Sequence, residues 1–163
     1  MEVFEINQKV MHCREGLSLI VDKKIINGNE YFLMKCKNDL GETIYVPCES
    51  ADKIIRHIST VDEADNLIEE AKNIPNEYNS NTKQRRDLFK KKLSSGSLRD
   101  YLYLLVQYEL YKLDVIKNKL GPLDNEMLRY ATNYICDEWS ITFDIEKDSV
   151  LEYIKKKIFE RKN

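Results

Sequence analysis

The sequence predicts an α+β protein in two parts: a small β-barrel of SH3 or Tudor size over residues 1–58, then an all-α helical domain over 59–163. Three observations predict it. Short alternating apolar runs, separated by turn dipeptides, fill the first third of the chain. After Thr60 the apolar period lengthens from two residues to between three and four. The 163 residues are 42% hydrophobic and 33% charged with a net charge of −2, enough apolar material for a core and too little charge imbalance for a disordered chain.

The strands follow in order. Leu17 to Ile26 reads as a strand with Leu17, Leu19 and Val21 alternating, and Tyr31–Cys36 as a second. Between them Asn27-Gly28 accepts the positive φ angles of a type I′ hairpin turn. After a turn over 37–42, Thr43–Val46 is a third strand, closed by Pro47, which has no N–H for a ladder. Lys9–His12 and Ile55–Ile58 are candidates for short flanking strands. Five short strands in fewer than 60 residues suggest a small twisted barrel.

The helices have clear punctuation. Thr60 and Glu63 form a capping box before Ala64, Leu67, Ile68 and Ala71, and Pro75 ends that helix. Asn76–Asn81 is a polar linker. Lys83–Leu93 is a short basic helix ended by Ser94-Ser95-Gly96. Ser97 caps a helix over Leu98–Leu120, whose apolar set, including Leu113 and Ile116, covers a wide arc and marks the buried centre of the bundle. Asp124 caps the next helix, through Met127, Leu128, Ala131, Ile135 and Trp139, with Trp139 at a core position. The last helix carries Val150, Leu151, Ile154 and Ile158.

Charge is divided unevenly. Residues 59–79 hold 1 basic and 6 acidic side chains, and residues 82–119 hold 10 basic and 4 acidic. On a helical wheel Leu88, Phe89 and Leu93 span roughly 140° and define the packed face of the basic helix. Lys83, Lys90 and Lys91 then face solvent or a polyanion, and Arg86 sits at the edge. Arg85 and Lys92 fall inside the apolar arc, where they snorkel or pair with a carboxylate, for which the preceding acidic helix is the obvious supplier. Such a helix is either a solvated lysine face or a weak, salt-sensitive, sequence-blind contact with DNA phosphates. Nothing on it resembles a base-reading arrangement.

No enzymatic motif is present. The cysteines Cys13, Cys36, Cys48 and Cys136 have no zinc-ligand spacing and read as reduced thiols. His12, Cys13, Cys48 and His57 could assemble a metal site or a Cys–His dyad only through the fold. No glycine-rich phosphate loop, HExxH or GxSxG occurs. The expectation is a non-enzymatic binding protein without cofactor or metal. With no transmembrane stretch and no signal-like N-terminus, it is expected to be cytoplasmic and without a membrane partner.

Several segments in this β-then-α order resemble the CarD/CdnL family of bacterial RNA-polymerase-binding transcription regulators. Phe4 to Val10 followed by Gly16 is similar to that family's opening F-x-x-G-D-x-V, and Tyr31 to Lys35 to its Y-x-x-L-K strand. Thr43-Ile44-Tyr45-Val46-Pro47, with Ala51 and Arg56-His57-Ile58, resembles its V-x-V-P…A…R-x-I run. Arg85-Arg86 with Leu93 to Ser97 resembles W-x-x-R…L-x-S-G-D, and Leu123 to Leu128 with Ala131 and Glu138 resembles its L-S-x-x-E-x-x-M-L ending. The resemblance implies a Tudor-like domain that docks on the polymerase β subunit through Thr43, Ile44, Tyr45 and Val46, with Lys24 a possible helper. Ile44 and Val46 can also be ordinary core, which makes Tyr45 the better interface residue. It also implies that the helical domain touches promoter DNA at the upstream edge of the bubble, here through Lys83, Arg85, Arg86, Lys90 and Lys91. The chain departs from the pattern at four places, one being that the block from Leu123 is about two residues shorter than the family's. Asn7 replaces a first-turn glycine, Tyr45 stands where many members are basic, and no aromatic stands at Asn81 or Thr82, where the family's wedge tryptophan belongs; Tyr78 is the nearest. The competing reading is a protein–protein interaction module without DNA binding.

Overall fold

The computed structural model describes residues 3–37, 39–114 and 120–160. The chain divides into two compact units, Met1–Ile58 and Ser59–Asn163. The class is α+β: an antiparallel sheet comes first and helices follow.

The first unit contains β1 (Lys9–His12), β2 (Gly16–Ile26), β3 (Asn29–Cys36), β4 (Asp39–Pro47) and β5 (Ile55–His57). They form one antiparallel sheet in the order β4-β3-β2-β1-β5. The sheet is open, which corrects the expected closed barrel: β4 and β5 are its two edges. Pro47 ends β4, and a 3-10 helix over Cys48–Lys53 intervenes before β5 returns beside β1. That helix packs against β3, β4 and β5 and places Ala51 in the core. Every strand contributes to one cluster: Val10, Ile20, Phe32, Met34, Val46 and Ile55, joined by Phe4 and Ala51.

The hairpin turn is as its dipeptide requires, with φ of 50° at Asn27 and 82° at Gly28. Strand β2 departs from the expected alternation. The register shifts between Ile20 and Asp22, so Val21 falls at a bulge and is exposed, while Ile20 takes the core position. Asn7, at φ 73°, is held in a left-handed conformation that asparagine tolerates, and its N–H donates to the Ile20 carbonyl at 2.7 Å.

The second unit contains α1 (Val61–Ala71), α2 (Thr82–Leu93), α3 (Leu98–Asp114), α4 (Pro122–Thr142) and α5 (Lys147–Phe159). Both arms of the Thr60/Glu63 capping box form. The expected continuation of α3 through Ile116 lies outside the described residues. Tyr101, Leu102 and then Leu104 through Tyr108 are buried, the signature of a helix enclosed on all sides. Trp139 is fully buried on α4. Asp124, Asp137 and Glu138 of α4 are all buried, and the last two serve the ends of neighbouring segments. Glu138 accepts from Ser59 N at 2.8 Å and Ser59 Oγ at 2.6 Å, and Asp137 meets Lys147 Nζ at 2.6 Å. Thr142 Oγ1 donates to the Ser59 carbonyl at 2.9 Å, so the segment leading into α1 is fixed to α4.

One polar group in the sheet makes stability depend on pH. His12 is buried, and its Nδ1 accepts the backbone N–H groups of Arg14 and Glu15, each at 3.1 Å. Only an unprotonated Nδ1 can accept, and burial lowers the imidazole pKa, with Glu15 opposing and Arg14 assisting. The unfolded chain therefore binds this proton more readily than the folded one. The associated stability is fully present above the unfolded value of about 6.5 and is lost as pH falls below it. An NMR titration of the His12 ring is expected to give a midpoint below the ordinary histidine value, with the β1–β2 turn amides shifting in the same step.

Candidate functional site: an anchored basic helix and an exposed edge strand

Helix α2 starts from a segment that is fixed at successive points. Gln107 on α3 is fully buried; its Oε1 accepts from Glu77 N, and its Nε2 donates to the Pro75 carbonyl, both at 2.8 Å. The Tyr103 hydroxyl donates to Glu77 Oε2 at 2.8 Å. Tyr78 stacks on Tyr111 with ring centroids 4.1 Å apart and meets Phe89 and Tyr108 edge-on. Asn81 then caps α2, its Oδ1 accepting from Gln84 N at 3.0 Å.

The buried side of α2 carries Arg85 and Phe89, four residues and about one turn apart. Arg85 donates to both oxygens of Asp124 on α4, NH2 to Oδ2 at 2.9 Å and Nε to Oδ1 at 3.3 Å. Its NH1 donates to the Asn79 carbonyl at 3.0 Å, and its guanidinium lies 4.8 Å from the Tyr78 ring centroid. The Tyr108 hydroxyl donates to Asp124 Oδ1 at 2.7 Å, and Arg86 NH2 lies 3.4 Å from Oδ2. Burial acts to raise the Asp124 pKa. The hydrogen bonds from Arg85 and Tyr108 and the charges of Arg85 and Arg86 outweigh it, so the carboxyl is held below its usual range. The Tyr108 phenol is pushed far up by burial and by the carboxylate it serves, and burial raises Tyr78 to about 12. Both rings stay neutral across the physiological range.

These contacts sort the expected DNA-contacting residues. Lys83, Lys90 and Lys91 are exposed. Arg86 is partly exposed beside Asp124. Arg85 is 6% exposed and its guanidinium is bonded to Asp124 and Asn79, so it faces inward, away from the exposed lysines. Its carboxylate comes from α4, not from acidic α1. Asp124 is correspondingly not a cap: Gly121 occupies the N-cap position and Pro122 the first turn, leaving Asp124 to face inward. Leu88, expected on the packed face, is 41% exposed, because the face is centred on Phe89 and Arg85. Lys92 does pair, with Asp100 at 3.4 Å, and lies 4.2 Å from the Tyr103 ring centroid. Tyr78 is not a free wedge, since its ring is engaged. Asp87, exposed between the positions of Lys83 and Lys90, lowers the net charge of their face.

Strand β4 is an edge of the sheet. Val46 is in the core and Ile44 packs partly against it, so both are structural in part. Tyr45 points to the opposite face and is 52% exposed. It pairs across with Leu33, while Lys24 pairs with Tyr31, so Tyr45 and Lys24 share one face on either side of β3. Thr43 lies on that face too and accepts from Lys35 Nζ at 2.8 Å.

Among the described residues no group of three or more His, Cys, Asp or Glu side chains could hold a metal ion. His57 Nδ1 is 2.9 Å from Gln8 Nε2, and its ring stacks on Phe4 at 4.8 Å. Burial raises the Cys48 thiol pKa, with Lys23 opposing, so Cys48 is not an activated thiolate. Among the described residues no helix is long and apolar enough to cross a membrane. No protein-family model matches the chain, and no curated protein matches it.

Removing one partner of a buried ion pair leaves an unpaired buried charge, which costs about 3–5 kcal/mol. Arg85→Ala or Asp124→Ala is therefore expected to lower the unfolding free energy of the helical unit by that order. Lys83→Ala or Lys90→Ala is expected to change it by less than about 0.5 kcal/mol. Chemical denaturation followed by Trp139 fluorescence distinguishes the two classes.

Proposed function

We propose that this protein is a transcription regulator whose β unit binds the β subunit of bacterial RNA polymerase and whose helical unit contacts promoter DNA near the upstream edge of the bubble. The observation that carries the DNA half is the outward display of Lys83, Lys90 and Lys91 on a helix whose opposite side is fixed by Arg85 and Asp124. The docking half is supported by the exposed Tyr45 on the edge strand β4, with Lys24 on the same face. An edge strand offers backbone groups for strand addition, and the side chains beside it supply selectivity. The motif resemblance supplies the identity of both partners and the reading of the sheet as Tudor-like.

The contact with DNA is weak in this reading. Three exposed lysines neutralise few phosphates, and Asp87 subtracts from them. Tethering through the polymerase raises the local concentration at the DNA, so a weak contact suffices. The regulator then shifts the promoter equilibrium only by its differential affinity for the states it touches. With no aromatic at Asn81 or Thr82 and the Tyr78 ring engaged, bubble stabilisation is expected to be slight.

Two measurements test the proposal. Binding to forked DNA at low salt is expected to give a log–log salt slope of about −2 to −3, for roughly three phosphates. The double substitution Lys83→Glu, Lys90→Glu is expected to abolish it; an unaffected or unmeasurable affinity removes the DNA role. Capture of the polymerase β subunit is expected to drop with Tyr45→Glu, and undiminished capture removes β4 as the docking strand. Exposed Leu88 in the middle of α2 favours a second reading, in which the helical unit meets a protein instead of DNA. That reading predicts capture by the β unit with no DNA affinity at any salt.

A further inference from the structure

The one Asn-Gly step of the chain, Asn27-Gly28, forms the tip of the β2–β3 hairpin. Both residues are exposed. The ladder closes at Ile26 opposite Asn29, so the Gly28 amide lies outside it. Nothing stands within 4 Å of the point where a Cβ on Gly28 would sit. Apart from its two chain neighbours, nothing crowds Gly28 on that side.

We propose that Asn27-Gly28 is a self-modifying site that converts to isoaspartate. The deprotonated Gly28 amide nitrogen attacks the Asn27 side-chain carbonyl carbon. A nitrogen–carbon bond forms, the Cγ–NH2 bond breaks, and the departing nitrogen takes up a proton from water and leaves as ammonia. Water then adds to either carbonyl of the cyclic imide, giving aspartate or isoaspartate. No oxidant, reductant or enzyme is required.

Ring closure requires Asn27 to leave its turn conformation. That opening involves only the outermost ladder pairs, Ile26–Asn29 and Ile25–Glu30. No buried side chain holds them: Ile25 is 72% exposed, Ile26 38%, and Asn29 and Glu30 are exposed. Elements without buried contacts open locally at low free energy. The next least hindered step, Asn79-Ser80, lacks this freedom. Asn79 Nδ2 donates to Gln84 Oε1 at 3.1 Å, and its Oδ1 accepts from Asn81 N at 2.8 Å. The product matters for the fold because isoaspartate routes the main chain through the side-chain methylene. It lengthens a two-residue turn that sets the register of β2 on β3.

The test is incubation of the full chain in mildly alkaline buffer, followed by peptide mapping and methyl transfer by a protein isoaspartyl methyltransferase. Isoaspartate is expected at position 27 well before any change at Asn79. The Asn27→Gly variant keeps a turn-competent Gly-Gly pair, cannot form the imide, and is expected to give no signal there. Two results overturn the proposal: position 27 staying an amide while an unfolded peptide of residues 23–31 converts, or the variant accumulating as much isoaspartate as the parent chain.

Discussion

The helical unit is organised around one buried carboxylate. Asp124 gathers Arg85 from α2, Tyr108 from α3 and the edge of Arg86, and the same guanidinium reaches back to Asn79 ahead of α2. A carboxylate at 2% exposure is tolerable only because its oxygens are so fully partnered. The pairing joins α4 to α2 and α3, so it fixes the rotation of α2 about its own axis. With Arg85 and Phe89 turned inward, Lys83, Lys90 and Lys91 have no direction left but outward. The exposed charge of the helix is thus a consequence of its buried charge.

The sheet follows a parallel logic with different chemistry. Its core takes one residue set from each strand, and the bulge at Val21 changes which residues of β2 belong to it. Val46 faces that core, so its neighbour Tyr45 must face away. A residue that looks apolar and strand-forming is left exposed on an edge by the pleat alone. Burial on one side and display on the other are one geometric fact in both units.

Much of this was legible in the residues, for identifiable reasons. Asn27-Gly28 and the Thr60/Glu63 box are local signals, and local signals survive into structure because neighbouring backbone groups satisfy them. The wide apolar arc of α3 marked it as enclosed, since no single face could hold it. Arg85 inside the apolar arc of α2 signalled a carboxylate partner. Which carboxylate was not legible, because a long-range pair leaves no periodic trace. Asp124 after Gly-Pro reads as a cap from its neighbours, yet its partner is 39 positions earlier in the chain. Gln107 carried an unused signal: a lone amide inside the run Leu104–Tyr108 of an enclosed helix requires buried partners, and it finds them in Pro75 and Glu77. The open sheet was missed because five short strands suit open and closed sheets alike, and the pairing of the edge strands β4 and β5 leaves no local signal.

The affinity of the Asp124→Asn variant for forked DNA at low salt tests most directly whether the buried carboxylate sets the lysine face. This substitution removes a negative charge and leaves every exposed lysine in place. If Asp124 acts by holding α2 in position, affinity falls despite the more positive protein. Affinity that rises or stays unchanged, as charge alone would dictate, contradicts the positioning role.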